Sequence, residues 1–264
     1  MTSTGEWRRF DLAGYGFESE PYGELSMAIS SDGRKVAFAD PSGLAVVTLE
    51  GNTFERFELP VQHEVAMMWS PDGSTLLFKD RHSGRKPCGP SGCTLDVSTG
   101  HLSPVPYDVF YSAYGNQGEV FELKATDEQP STGQVRTYQG NILAAEVPLE
   151  YQLFPHTAGG PAGARDVAFS QCRQPGGAEA SGVVIVDPVS GRIFSWLSNP
   201  SWKSCRLSAL AWSTDDRLVV ADWMSGAVWS WDVRLRRVRQ VAVGATSGVN
   251  LDVAGKVMAD RLER

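Results

Sequence analysis

No apolar run in this chain approaches the roughly 18 residues that a membrane-spanning helix needs, so membrane insertion is not expected. Basic side chains are outnumbered, with 24 Lys and Arg against 31 Asp and Glu and a net charge of −7. The pI is near 5.2. That balance gives no electrostatic reason to expect nucleic acid or an anionic membrane as the main partner. The start, Met1 to Glu6, lacks the charged segment and apolar core of a secretory signal. The chain is therefore expected either to stay in the cytosol or to owe its export to a signal outside these residues. Catalytic signatures are also missing. There is no Gly-x-Ser-x-Gly elbow, and His63-Glu64 has no second histidine to make a zinc-protease helix. Cysteine is scarce, at four residues.

What is abundant is turn chemistry. The 27 Gly and 15 Pro fall at intervals between short apolar runs, which points to an all-β chain with many tight turns. Val65 to Asp80 shows the unit most clearly: two apolar strands joined at Ser70-Pro71-Asp72-Gly73. Pro71 presets the first central turn residue, and Gly73 supplies a left-handed position without a steric penalty. Met68-Trp69 before the turn and Leu76-Leu77-Phe78 after it are too continuous for a half-exposed hairpin, so both strands should be covered on two faces.

The unit recurs. Leu25 to Asp40 repeats it around Gly33, and Leu207 to Asp222 repeats it with Asp216 in the glycine's place. Weaker copies lie at Gly118, Gly163 and Gly255, giving six turns in all. A spacing of about 40 to 45 residues with four short strands per unit marks a β-propeller blade. Third strands end in signals such as Leu95 to Gly100 and Val186 to Gly191, and a fourth follows directly at Arg192 to Trp196. Trp7 to Leu12 copies the fourth strand at Phe54 to Leu59. The N-terminal segment is thus expected to close a last blade near residues 249–262, which would be three-stranded. The expected fold is all-β, a single six-bladed β-propeller over residues 1–264.

The repeated Ser-Pro-Asp-Gly turn between buried strands resembles the TolB-type, WD40-like propeller repeat. Trp231-Asp232, at the end of a third strand, adds to that likeness. The resemblance implies a fold more than an activity, because such propellers serve as docking surfaces, as envelope scaffolds and as domains attached to enzymes.

In a propeller, the second-to-third strand loops and the connectors between blades share one face. The four cysteines map to that face: Cys88 and Cys93 in one loop, Cys172 at a strand end and Cys205 on a connector. Three readings stand. Disulfides Cys88–Cys93 and Cys172–Cys205 would imply an oxidising, extracytoplasmic compartment. Free thiols would suit the cytosol. A zinc site would join Cys88 and Cys93 to His82, with His101 or a more distant residue as the fourth ligand.

The connectors on that face also carry Tyr15, Phe17, Glu20, Tyr22, Glu24, His63, Glu64, Tyr107, Asp108, Tyr151, His156, Trp202, Lys203 and Asn250. Aromatic and acidic loop residues of this kind point to a binding patch formed by His63, Glu64, Tyr107, Asp108, Trp202 and Lys203. The function expected first is a non-catalytic, monomeric scaffold that binds a protein, peptide or glycan. A rival is a calcium-dependent hydrolase. Glu24, Glu64, Asp108 and Asn250 would hold the ion as oxygen ligands, as six-bladed lactonases do when the metal polarises a carbonyl. A third reading is an extracytoplasmic sensor domain of a membrane-anchored parent. Arg234, Arg236, Arg237 and Arg239 alternate along one hairpin, where they either guard a sheet edge or form an anionic docking stripe.

Overall fold

The computed structural model describes residues 26–40, 43–51, 53–59, 65–80, 88–125, 133–149, 166–173, 179–198, 207–214, 216–222 and 224–243. The first sheet runs β1 Ser26–Ile29, β2 Lys35–Asp40, β3 Gly43–Thr48 and β4 Thr53–Phe57. The second runs β5 Val65–Trp69, β6 Thr75–Asp80, β7 Cys93–Asp96 and β8 Leu102–Pro104. The third is β9 Ser112–Tyr114, β10 Val120–Ala125, β11 Gly133–Gln139 and β12 Ile142–Pro148. Three strands make the fourth, β13 Val167–Arg173, β14 Glu179–Val186 and β15 Ile193–Ser198. The fifth is β16 Leu207–Thr214, β17 Arg217–Asp222, β18 Ala227–Asp232 and β19 Arg237–Val243. Every sheet is an antiparallel meander in chain order.

Six blades were expected, and the described residues form five. The extra unit rested on one of the three weaker turns, Asp252 to Gly255, and on the strand expected at Trp7 to Leu12. That turn and the strand at Trp7 to Leu12 lie outside the described residues. Among the described residues the blade with three strands is the fourth.

The fourth blade also corrects a strand assignment. The repeat puts Val167-Ala168-Phe169 in a second strand, after the turn at Gly163, which lies outside the described residues. It is instead the first strand of its sheet, and Ile193–Ser198, read as a fourth strand, is the third. The missed signal is a serine that closes the inner strand: Ser30, Ser70, Ser170 and Ser213 are all buried. In the first two blades this serine organises the turn. Ser30 Oγ donates to Asp32 at 2.7 Å and accepts from Lys35 N–H at 2.8 Å. Ser70 repeats the pattern with Asp72 at 2.7 Å and Thr75 N–H at 2.9 Å. Gly33 and Gly73 close the turns at φ 69° and 66°, each donating its N–H to the serine carbonyl.

Adjacent blades meet along their first strands, β1 against β5, β5 against β9 and β13 against β16. The covering of both faces is direct: Leu76 and Leu77, neighbours on opposite sides of β6, are each fully buried. Leu76 packs toward the first blade and Leu77 toward the third. Burying each such side chain contributes roughly 1.5–3 kcal/mol. Apolar layers join the third blade to the fourth through Phe121, Leu123, Phe169 and Val184. Ile185, Leu218, Val220 and Trp231 join the fourth to the fifth. Polar bonds fix the register between blades. Trp69 Nε1 donates to the Ala28 carbonyl at 2.9 Å, Val65 N–H to Ser26 Oγ at 2.9 Å, and Ala209 N–H to Ser170 Oγ at 3.0 Å.

Candidate functional site at the disulfide loop

Strand alternation puts the β6–β7 loop and the β8–β9 connector on the same side of the ring, and the structure brings them into contact. Cys88 and Cys93 form a disulfide, with Cα atoms 4.9 Å apart. Gly92 between them has φ 116°, and a Cβ there would fall 2.7 Å from both the Phe78 carbonyl and Val109 Cγ2. Only glycine lets the loop lie so close to the connector. Two backbone bonds seal the contact: Val105 N–H to the Gly92 carbonyl and Val109 N–H to the Ser91 carbonyl, each at 3.1 Å.

The connector wedges between the second and third blades, its short 3-10 turn at Val109–Tyr111 touching β5, β6 and β10. Asp108 caps that turn by accepting from Phe110 N–H at 3.0 Å. Its other carboxylate oxygen takes Lys79 Nζ at 2.6 Å, and the same ammonium lies 5.2 Å from the centre of the Phe110 ring. Beneath this pair sits Glu122, a carboxylate only 3% exposed. It accepts from Asp108 N–H at 2.8 Å and from the Tyr138 hydroxyl at 3.1 Å. These bonds supply the partners a buried carboxylate requires. Burial, and then the Glu122 charge, raises the Tyr138 pKa and keeps that phenol a donor. Burial likewise pushes Tyr107 up, with Tyr138 adding to it.

Tyr107 and Asp108, expected on the open mouth, are placed differently from one another. Tyr107 is 2% exposed, with its ring 4.9 Å from that of Tyr138. Asp108 is partly exposed but engaged by Lys79. The residues that face outward are Tyr111, 40% exposed, together with the exposed Pro90 and Pro106. The sequence reading missed Lys79, Tyr111, Glu122 and Tyr138. Glu122 had a visible signal, an acid interrupting the apolar run Val120-Phe121-Glu122-Leu123.

The other expected residues fall elsewhere. His63, Glu64, Trp202, Lys203, Glu24, Asn250 and Cys205 lie outside the described residues, as does His82. Cys172 belongs to β13, an inner first strand, rather than to the end of a second strand. His101 follows the far end of β7, a strand's length from Cys93. With both sulfurs of the loop spent in a bond, the zinc reading loses its ligands. Among the described residues no three His, Cys, Asp or Glu side chains gather as a metal site would need.

No protein-family model and no curated protein matches this sequence. Solved structures do. TolB from Acinetobacter baumannii superimposes with a TM-score of 0.54 at 11% identity, covering 84% of this chain and 53% of that one. The fold is a TolB-like β-propeller. The propeller domain of the Trilobed protease from Pyrococcus furiosus matches the propeller with a TM-score of 0.52 at 12% identity, over 83% of this chain and 69% of that one. A Nidogen/Laminin complex matches with a TM-score of 0.50 at 11% identity, over 83% and 78%. The propeller thus spans about half the length of TolB. At such identities the shared property is the fold alone.

Proposed function

We propose that this propeller is a non-catalytic binding protein that recognises an extended peptide or protein segment at the rim built by the disulfide loop and the Val105-to-Tyr111 connector. The observation that carries the reading is Tyr111: an exposed aromatic on a connector held by the Ser91 and Gly92 carbonyls and by the Asp108 cap. Tyrosine offers a large amphipathic contact with few rotamers to freeze, and a pre-ordered loop loses little entropy on binding. The titratable groups behind it are paired with one another, so they serve the rim as a support. His63, Glu64, Trp202 and Lys203, which the sequence puts on connectors of the same kind, would extend the patch. A Nidogen/Laminin complex among the similar structures favours protein binding, and the Cys88–Cys93 disulfide favours an oxidising compartment.

The test is a selection of phage-displayed random peptides on the wild-type protein, followed by affinity measurement on Tyr111→Ala. Selected peptides should lose at least tenfold, with the thermal midpoint unchanged because Tyr111 is half out of the fold. Equal affinity for the variant would reject the rim as the binding surface.

A further inference from the structure

The hairpin of β18 and β19 carries a second surface that the rim does not use. Arg234, Arg236, Arg237 and Arg239 are all exposed on it, in a chain whose net charge is −7. Arg234 pairs with Asp216. The other three make no ion pair among the described residues. Asp232 lies opposite Arg237 in register, but its carboxylate accepts from Leu235 N–H at 2.8 Å and pairs with Arg217 at 4.0 Å. Two apolar side chains sit among the arginines, Leu235 at 64% and Val238 at 46% exposure. No described strand lies beyond β19.

The other outer strands differ. β4 carries Glu55 beside Arg56, β8 is three residues long, and on β12 the single charge, Glu146, is paired with Arg136. Among these strands β19 alone presents two unpaired charges of the same sign. Basic residues on an edge keep a second basic or neutral edge away, but they attract an acidic one.

We propose that β19 is a docking edge for an acidic segment of a partner protein, added as a further strand. The alternation of side chains defines the segment's chemistry. Arg237 and Arg239 share one face of β19 and Val238 takes the other, so a paired strand places acidic residues across from the arginines and an apolar residue across from Val238. Leu235 and Arg236, at the hairpin tip, continue the contact past the strand end. A polynucleotide fits less well: three free arginines with apolar residues between them are a narrow footprint in an acidic chain, whereas phosphate backbones reward long basic stripes.

The experiment uses a fluorescein-labelled octapeptide of alternating Glu and Val, with fluorescence anisotropy on the full chain. Controls are the same peptide with Lys for Glu, a scrambled peptide of four Glu and four Val, and phosphatidylserine vesicles. The alternating Glu peptide should bind, at least tenfold more tightly than the Lys and scrambled peptides, and should weaken as salt rises. Its affinity should fall at least tenfold on R237E/R239E, a variant whose circular dichroism and melting should match wild type. R237K/R239K should retain binding. No binding of the Glu peptide, equal binding of the Lys or scrambled peptide, wild-type affinity in R237E/R239E, or vesicle binding that displaces the Glu peptide would each overturn the proposal. Phage-selected peptides that lose affinity on Tyr111→Ala should bind R237E/R239E normally, which separates failure here from failure at the rim.

Discussion

At the scale of the residue, turn backbones explain which side chains stand where. Gly33 and Gly73 sit in the left-handed region that their turns demand, and both were legible from the Asp-Gly pairs in the sequence. Arg236 is the exception. At φ 52° it is the one non-glycine residue with positive φ among the described residues. A side chain in that region costs about 1–2 kcal/mol, offset in a glycine variant by roughly 0.5–1 kcal/mol of extra unfolded-state freedom. Arg236→Gly should therefore raise stability by about 0.5–1 kcal/mol, a gain readable as a higher urea midpoint. An unchanged or lower midpoint would show that the turn is unstrained. Nothing in the composition of this hairpin announced the strain, because an arginine after Leu235 reads as an ordinary strand residue.

At the scale of the element, the disulfide loop shows what spacing can and cannot say. Gly89 and Gly92 between the cysteines, with φ 66° and 116°, let the loop turn tightly enough to close the bond. A loop of this length stabilises by roughly 2 kcal/mol on the chain-entropy account. Replacing both cysteines by serine should lower stability by about that amount, and it should speed hydrogen exchange at the Val105 and Val109 amides, whose acceptors lie in the loop. If stability falls with no change at those two amides, the loop does not hold the connector. Tyr107 could not be read the same way. Its burial depends on Tyr138, across the interface to the next blade, and a pairing of that range leaves no local pattern around either residue.

At the scale of the whole molecule, the turns act together as a response to acid. Hydroxyl bonds to Ser70 and Ser98 hold Asp72 and Asp96 below the usual carboxylate range. Burial pushes Asp32 and Asp187 up, but Ser30 with Arg34 N–H outweighs it at Asp32, and Ser190 with Val189 N–H does so at Asp187. A carboxylate depressed in the fold takes its proton later than it does in the unfolded chain. Its stabilisation is complete above the unfolded value, near 4, and is lost as pH falls through the folded one. Thermal midpoints should hold level from about pH 6 to 5 and drop below about pH 4. The drop should be shallower in a variant with Asn at all four positions. The same slope in both proteins would place the acid sensitivity in other groups.

What the sequence determined by itself was the all-β class, the Ser-x-Asp-Gly turn and the paired buried strands, each set within a dozen residues, and the propeller likeness, carried by the recurrence of that unit about every 40 to 45 residues. Each depends on neighbours along the chain, so pattern suffices. The tertiary structure decided what depends on neighbours across a blade interface. It gathered the described strands into five blades and made Val167–Arg173 an inner strand. It also paired Lys79 with Asp108 and tucked Tyr107 against Tyr138. A strand's rank in its sheet, and the burial of a connector side chain, follow from which surfaces meet when the blades stack, and that choice is made by packing rather than by local propensity.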